Sequence, residues 1–366
     1  MTALSTELTY PFDHPPEAGQ WLSVAEGIYW LQMPLPMALD HINLYVLEDD
    51  EGWYIVDTGM GLRDTQKYWL QLINGPMAGK PLKAVICTHM HPDHCGQAGW
   101  LCNEWRVPLY MSAAEYLSAR TFGAPSEGGM SWTGKAHYLR AGVAPETLER
   151  LASRLRGFSK IIEPMPQSFR RMRDGDTLSI GGREWRVMTG SGHSPEHVSL
   201  YCEGDKFLLS GDQIIPRITS NVSVMPVEPD GNPLAEWLDS LHRFRNDIHA
   251  DTLVLPAHNA PFYGVHQRLD YLVAHHQGHL AAIEKACETP KAAIELFDVL
   301  FARKLDESQL PLALGEAIAH LHYLYYQGRM ERLIGDDGIC RYRSTDPEHS
   351  PYTGAPYEPG DAPFEV

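Results

Sequence analysis

The sequence predicts an α/β fold with a helical insertion and a mainly helical C-terminal unit, on three observations. Short β-rich runs occupy the chain from Trp21 to about Cys87 and resume after Met172. Residues 113–172 have helical spacing instead, and from Val265 onward β-character gives way to helices. Finally, the strand-like "LKAVICT" runs straight into "THMHPDHCG", so polar side chains are delivered at a strand end, where open sheets carry their chemistry. At 366 residues the chain can bury a large core. The expected divisions are an N-terminal extension (1–20), a main domain (21–264) containing the insertion (113–172), a winged-helix-like unit (265–343) and a flexible tail (344–366).

The elements follow in order. "WLSVAEGIYWLQ", "HINLYVLEDD" and "GWYIVDTGM" read as β-runs, the last two joined by a hairpin at Asp49 to Gly52. "LRDTQKYWLQLI" has helical periodicity, "LKAVICT" is a buried strand, "CGQAGWLCNEW" a helix and "VPLYMS" a strand. The insertion contains "AEYLSAR", "SWTGKAHYLRAG" and "PETLERLASRLRGF", with Pro and Gly at its joints. Two hairpins follow, turning at Gly181-Gly182 and at Gly204-Asp205, then the helix "LAEWLDSLHRFRN" and the strand "DTLVLPAHNA". Beyond Val265 come three predicted helices, "RLDYLVAHHQGHLAAIEKA", "KAAIELFDVLFARK" and "LALGEAIAHLHYLYYQ", and a hairpin, "RMERLIGDDGICRYR". The Pro-, Gly- and acid-rich residues after Ser344 read as poorly ordered.

Composition narrows the function. A formal charge of −17 repels a phosphate backbone, so nucleic acid is not the favoured partner and a small-molecule substrate is. The last predicted helix is apolar on most sides and almost lacks Lys and Arg, so packing, or a homodimer formed through the C-terminal helices, is expected of it rather than DNA binding. No apolar run reaches bilayer length, the first residues lack the pattern of a secretory signal, and the six cysteines form no C-x-x-C pair. The expectation is a cytoplasmic protein with no membrane partner.

In the H-x-H-x-D-H motif, His89 and His91 are one residue apart, so an extended backbone points both rings the same way. Asp93 and His94 follow the turn at Pro92 and can face a second point. Imidazole and carboxylate donors suit zinc, iron or manganese. Further donors stand at matching places: His193 in "TGSGHSPEH", Asp212 in "LLSGDQ" and His258 in "VLPAH".

These motifs, with "YIVDTGM" upstream, resemble those of the metallo-β-lactamase superfamily, in that family's order, over about Trp21 to Tyr263. The resemblance implies an αββα sandwich with two divalent metal ions along one edge, zinc first and iron or manganese as alternatives. It implies one ion held by His89, His91 and His193, a second by Asp93, His94 and His258, and Asp212 bridging them. Asp57 would orient a ligand histidine, and His197 would support the site by a hydrogen bond. The chain looks most like the glyoxalase II-like branch, without that enzyme's glutathione-binding basic residues. The expected chemistry is hydrolysis of an ester-like bond, a thioester or lactone, by a hydroxide shared between the ions, with Asp93 orienting it.

Other side chains are weighed against plainer roles. Arg217 and Tyr263 are candidate substrate contacts, although a surface ion pair and a core tyrosine are the ordinary readings. Cys95 reads as a small packing residue, and His275, His276 and His279 as helix residues rather than ligands. Tyr116, Trp132 and Tyr138 belong either to a lid over the metals or to the insertion's own core. Three other functions stay open: a single-iron persulfide dioxygenase, a phosphodiesterase or ribonuclease of the same fold, and a winged-helix regulator with a vestigial metal site.

Overall fold

A computed structural model describes residues 8–37, 39–124, 129–154, 159–301, 305–306 and 309–353. The first β-run is two strands, β1 (Trp21–Ala25) and β2 (Ile28–Pro34), because Gly27 takes a φ of +73° and turns the chain back. β3 (His41–Asp49) and β4 (Gly52–Val56) form the expected hairpin. After helix α1 (Arg63–Asn74), strand β5 (Leu82–Ile86) leads to the short helix α2 (Pro92–Cys95). Next come α3 (Ala98–Trp105), β6 (Leu109–Met111), and the insertion helices α4 (Ala113–Gly123), α5 (Trp132–Arg140) and α6 (Pro145–Arg154). Strands β7 (Arg170–Arg171), β8 (Thr177–Ile180), β9 (Arg183–Gly190), β10 (His197–Cys202) and β11 (Phe207–Gly211) follow. Then come helix α7 (Pro233–Asp247) and strand β12 (Leu253–Pro256).

The strands make two sheets. One has the order β1-β2-β3-β4-β5-β6-β7, antiparallel as far as β4 and parallel beyond; the other has the order β12-β11-β10-β9-β8. Their facing residues, including Trp30, Tyr45 and Ile86 from the first sheet and Trp185, Leu200 and Leu255 from the second, are buried in one cluster. The outer face of the first sheet is covered by α1 and α3 through Trp69, Leu72 and Leu101. The second sheet carries α7 and the C-terminal helices. The fold is therefore the expected αββα sandwich. Because helices cover both outer faces, β3 is buried on its two sides and reads as a continuous apolar run.

The C-terminal part contains α8 (Val265–Ala286), α9 (Phe297–Leu300), α10 (Leu310–Tyr326) and the hairpin β13 (Met330–Ile334) and β14 (Cys340–Ser344). The helix expected over "KAAIELFDVLFARK" is a correction: a 3-10 turn at Ala293–Leu296 and the four residues of α9 replace it, and residues 302–304 lie outside the described part. The Ala292 N–H donates to the Glu295 side chain, which starts the chain afresh there. The apolar sides of α10 are consumed within the chain, against α7, α8, α9 and β13. Residues 345–353, assigned to the tail by composition, are held: the Arg329 guanidinium donates to the carbonyls of Asp346 and His349, and Tyr352 meets Tyr323. Residues 354–366 of that tail lie outside the described part.

In the insertion, Tyr116 stacks on Phe169 and its hydroxyl donates to the Pro166 carbonyl at 2.6 Å, while Tyr138 is buried among the C-terminal helices. Both are core residues. Trp132 is 80% exposed, which leaves it outside any core. No helix among the described residues is long and apolar enough to cross a membrane.

Candidate metal centre

Each candidate ligand stands where a strand ends. His89 and His91 lie in the loop after β5, Asp93 and His94 on α2, His193 between β9 and β10, Asp212 directly after β11, and His258 after β12. The structure brings all seven together. His89, His91, His193 and Asp212 form one group of donors and Asp93, His94 and His258 a second, with donor atoms within each group no more than 4.8 Å apart.

Asp212 joins the groups. Its Oδ2 lies 3.4 Å from His193 Nε2 and 3.8 Å from His89 Nε2, while Oδ1 lies 3.4 Å from both His94 Nε2 and His258 Nε2. In the second group, Asp93 Oδ2 is 3.5 Å from His258 Nε2 and 3.6 Å from His94 Nε2. In the first, His89 Nε2 approaches His91 Nδ1 to 2.8 Å and His193 Nε2 to 3.3 Å.

The far nitrogens are held by protein acceptors, which fixes the lone pairs that face inward. His193 Nδ1–H donates to the Asn221 carbonyl (2.8 Å), His258 Nδ1–H to the His41 carbonyl (2.9 Å) and His94 Nδ1–H to Asp57 Oδ2 (2.8 Å). Thr88 Oγ1 donates to Asp57 Oδ2 at 2.8 Å and can accept from His89 Nδ1–H at 3.0 Å. Asp57 has a φ of +58°, a region that short polar residues tolerate better than most, and its Oδ1 also accepts the Thr88 N–H. His197 Nε2 accepts the backbone N–H of Asp212. Gly211 makes room for that contact: a Cβ there would sit 2.5 Å from His197 Nε2.

Charge divides the cluster in two. Burial, with His94 as the nearest positive neighbour, holds His89 well below the usual histidine range, and burial beside His193 takes His91 down to about 3. Burial opposes charge on His94 too, but Asp212, Asp93 and Asp57 outweigh it and hold the ring well above the usual range. Burial likewise opposes charge on His258, and Asp212 and Asp93 prevail. Asp93 falls to about 2 and Asp212 well below the carboxylate range, because His94 and His258 overcome the burial of both. His89 and His91 thus keep inward lone pairs, while His94 and His258 hold protons against Asp93 and Asp212 that a bound cation would displace. His94 Nε2 and Asp212 Oδ1 are buried without a directed hydrogen bond, so the donor set and these two orphaned atoms fit metal cations.

Several supporting residues went unread in the sequence. Glu115, fully buried on α4, accepts the N–H groups of Met90 and Glu196 at 2.9 and 2.7 Å, clamping two ligand loops together. His41 supports the His258 loop a second time, since its Nε2 accepts the Asn259 N–H. Neither carries a local signal, because each acts through a segment remote in sequence. Cys95 is a packing residue whose thiol donates to the Met90 carbonyl. Arg217 and Tyr263 are exposed, and neither joins the hydrogen bonds around the seven donors among the described residues.

Residues 38–258 match the family profile described as the metallo-beta-lactamase superfamily. The chain belongs to that superfamily. A second profile, the metallo-beta-lactamase-like C-terminal domain, matches residues 280–345. Among solved superfamily structures, a beta-lactamase domain protein from Burkholderia ambifaria is 42% identical, over 94% of this chain and 100% of that one, with a TM-score of 0.86. A metallo-beta-lactamase family protein from Thermus thermophilus is 29% identical over 88% of this chain and 100% of its own, with a TM-score of 0.73. The acyl-coenzyme A thioesterase MBLAC2 of Bos taurus is 28% identical over 200 residues, 52% of this chain. The match spans 65% of that relative's length.

Proposed function

We propose that this metallo-β-lactamase superfamily member is a metal-dependent hydrolase that holds two divalent cations, zinc first, and cleaves an ester-like acyl bond, with a thioester as the leading substrate class. The observation that carries the reading is Asp212, whose two oxygens face different donor groups. A carboxylate so placed suits a pair of cations. The similarity to a thioesterase supports the acyl substrate, and the net charge of −17 weighs against RNA.

Bound cations would lower the pKa of water toward neutrality and polarise the substrate's oxygen. His89, His91 and His193 would hold one cation, Asp93, His94 and His258 the other, and Asp212 both. Asp93 is the more exposed of the two carboxylates, which suits it to orient the attacking water. Asp57 and Thr88 keep His94 and His89 in the tautomers that turn Nε2 inward.

The test is metal content per chain, together with turnover of acyl-CoA thioesters, lactones and bis-p-nitrophenyl phosphate by the same preparation. Two equivalents of zinc or manganese that depend on His89 and Asp212, together with thioester or lactone cleavage, are the expected result. One iron per chain, no hydrolysis and oxygen uptake with a persulfide would replace the hydrolase reading by an oxygenase. Phosphodiester cleavage alone would move the substrate class.

A further inference from the structure

A third group of metal-type donors lies away from the sheet edge, between α8 and α10. His276, on α8, faces Glu316 and His320, one turn apart on α10, and each offers a donor atom within 4.8 Å of the other two. All three are buried, with His276 and His320 fully so. His320 Nδ1–H donates to the Glu316 backbone carbonyl at 2.9 Å, which leaves its Nε2 lone pair directed at His276 Nδ1, 3.2 Å away.

Two nitrogens bound to one tetrahedral cation at about 2.0–2.1 Å stand roughly 3.3 Å apart. The His276–His320 spacing is of that size, and so is the 3.3 Å between His193 and His89 at the sheet edge. Both places also tie the far nitrogen of a ring to a backbone carbonyl.

The plainer reading is a hydrogen-bonded histidine pair, and the surroundings count against it. Glu316 is buried with no Lys or Arg paired to it among the described residues, and burial pushes its carboxyl up to about 8 although the Val222 N–H and the Asn221 amide, whose Nδ2 lies 2.7 Å from Oε2, both donate to it. An acid so placed beside two imidazoles can give up its proton to a cation that all three share.

We infer that His276, Glu316 and His320 form a separate structural site for one zinc-class divalent cation, fastening α8 to α10. Two histidines and a glutamate supply three of the four positions of a zinc ion, and burial leaves no route for substrate. The site also reaches the sheet edge: Glu316 holds the Asn221 side chain, and the Asn221 carbonyl accepts from His193.

The experiment loads the full chain with cobalt(II), removes excess metal by gel filtration, and counts metal per chain in wild type, His320→Ala and a His89→Ala/Asp212→Ala variant. His320→Ala should lose one equivalent while keeping the cobalt at the sheet edge. The double variant should retain one equivalent, and an anomalous difference map at the cobalt edge should place it between His276 and His320. Wild-type stoichiometry in His320→Ala overturns the proposal. If that variant does not fold, the double variant decides alone: no retained cobalt, or density elsewhere, overturns it as well.

Discussion

Asp57 shows how a residue that never faces the cluster can govern it. Its carboxylate accepts from the Thr88 N–H, the Thr88 hydroxyl and His94 Nδ1–H, so it fixes both the loop after β5 and the tautomer of His94. An amide keeps the shape but presents N–H groups where His94 needs an acceptor. Asp57→Asn should therefore weaken metal binding about 10–100-fold with the fold intact. Zinc competition against a chromophoric chelator would measure this, and unchanged affinity would show that the His94 contact does not orient the ligand. Asp57 was legible in "VDTG" because the motif is local. Glu115 was not, since its role depends on α4 crossing two loops whose N–H groups it accepts, and no spacing rule encodes that crossing.

At the scale of elements, strands and turns were read well because alternation and Gly-containing turns are local: the hairpins at Asp49 to Gly52 and at Gly181-Gly182 stand where the pattern put them. The helix over 291–304 was misread because apolar spacing does not register a backbone restart at Ala292. Contacts between elements make sharper predictions. The α5 residue His137 lies beside His322 of α10, and burial, then the neighbouring His322, lowers it from 6.5 to about 4. The unfolded chain thus takes up a proton near pH 6.5 that the folded chain refuses until about pH 4. Stability should fall across that window as pH drops, by on the order of 2–3 kcal/mol. His137→Phe should flatten that part of the profile in urea unfolding at stepped pH; an unchanged slope would assign it to other groups. Arg329, which precedes β13, pairs at 2.6 Å with the fully buried carboxylate of Glu284 on α8. Arg329→Ala would strand that charge and should cost about 3–5 kcal/mol, whereas Arg329→Met with Glu284→Gln should recover most of it. A double variant as unstable as Arg329→Ala would place the loss in packing instead.

Across the whole molecule, the metal-type donors at the edge come from both sheets: His89 to His94 follow β5 of the seven-stranded sheet, and His193, Asp212 and His258 follow strands of the five-stranded one. The sequence exposed these seven because each sits in a short motif at a strand end. It concealed the group between α8 and α10, because Glu316 and His320 look like ordinary polar positions in an apolar helix until α8 is packed against them. Donors drawn from two sheets have a mechanical consequence. A cation bound at the edge fastens the halves of the sandwich to each other, and the unfolded chain cannot assemble donors so far apart in sequence. Binding of this kind adds about 2.7 kcal/mol per site at free metal one hundred times Kd. Exhaustive chelation should therefore lower the melting temperature by several degrees, with near-UV and far-UV circular dichroism shifting together because both sheets lose the same fastening. Stoichiometric zinc should restore both signals. If chelation abolished hydrolysis but left the melting temperature in place, the cations would act in chemistry alone, and the two sheets would owe their association to the buried Trp30–Trp185 layer between them.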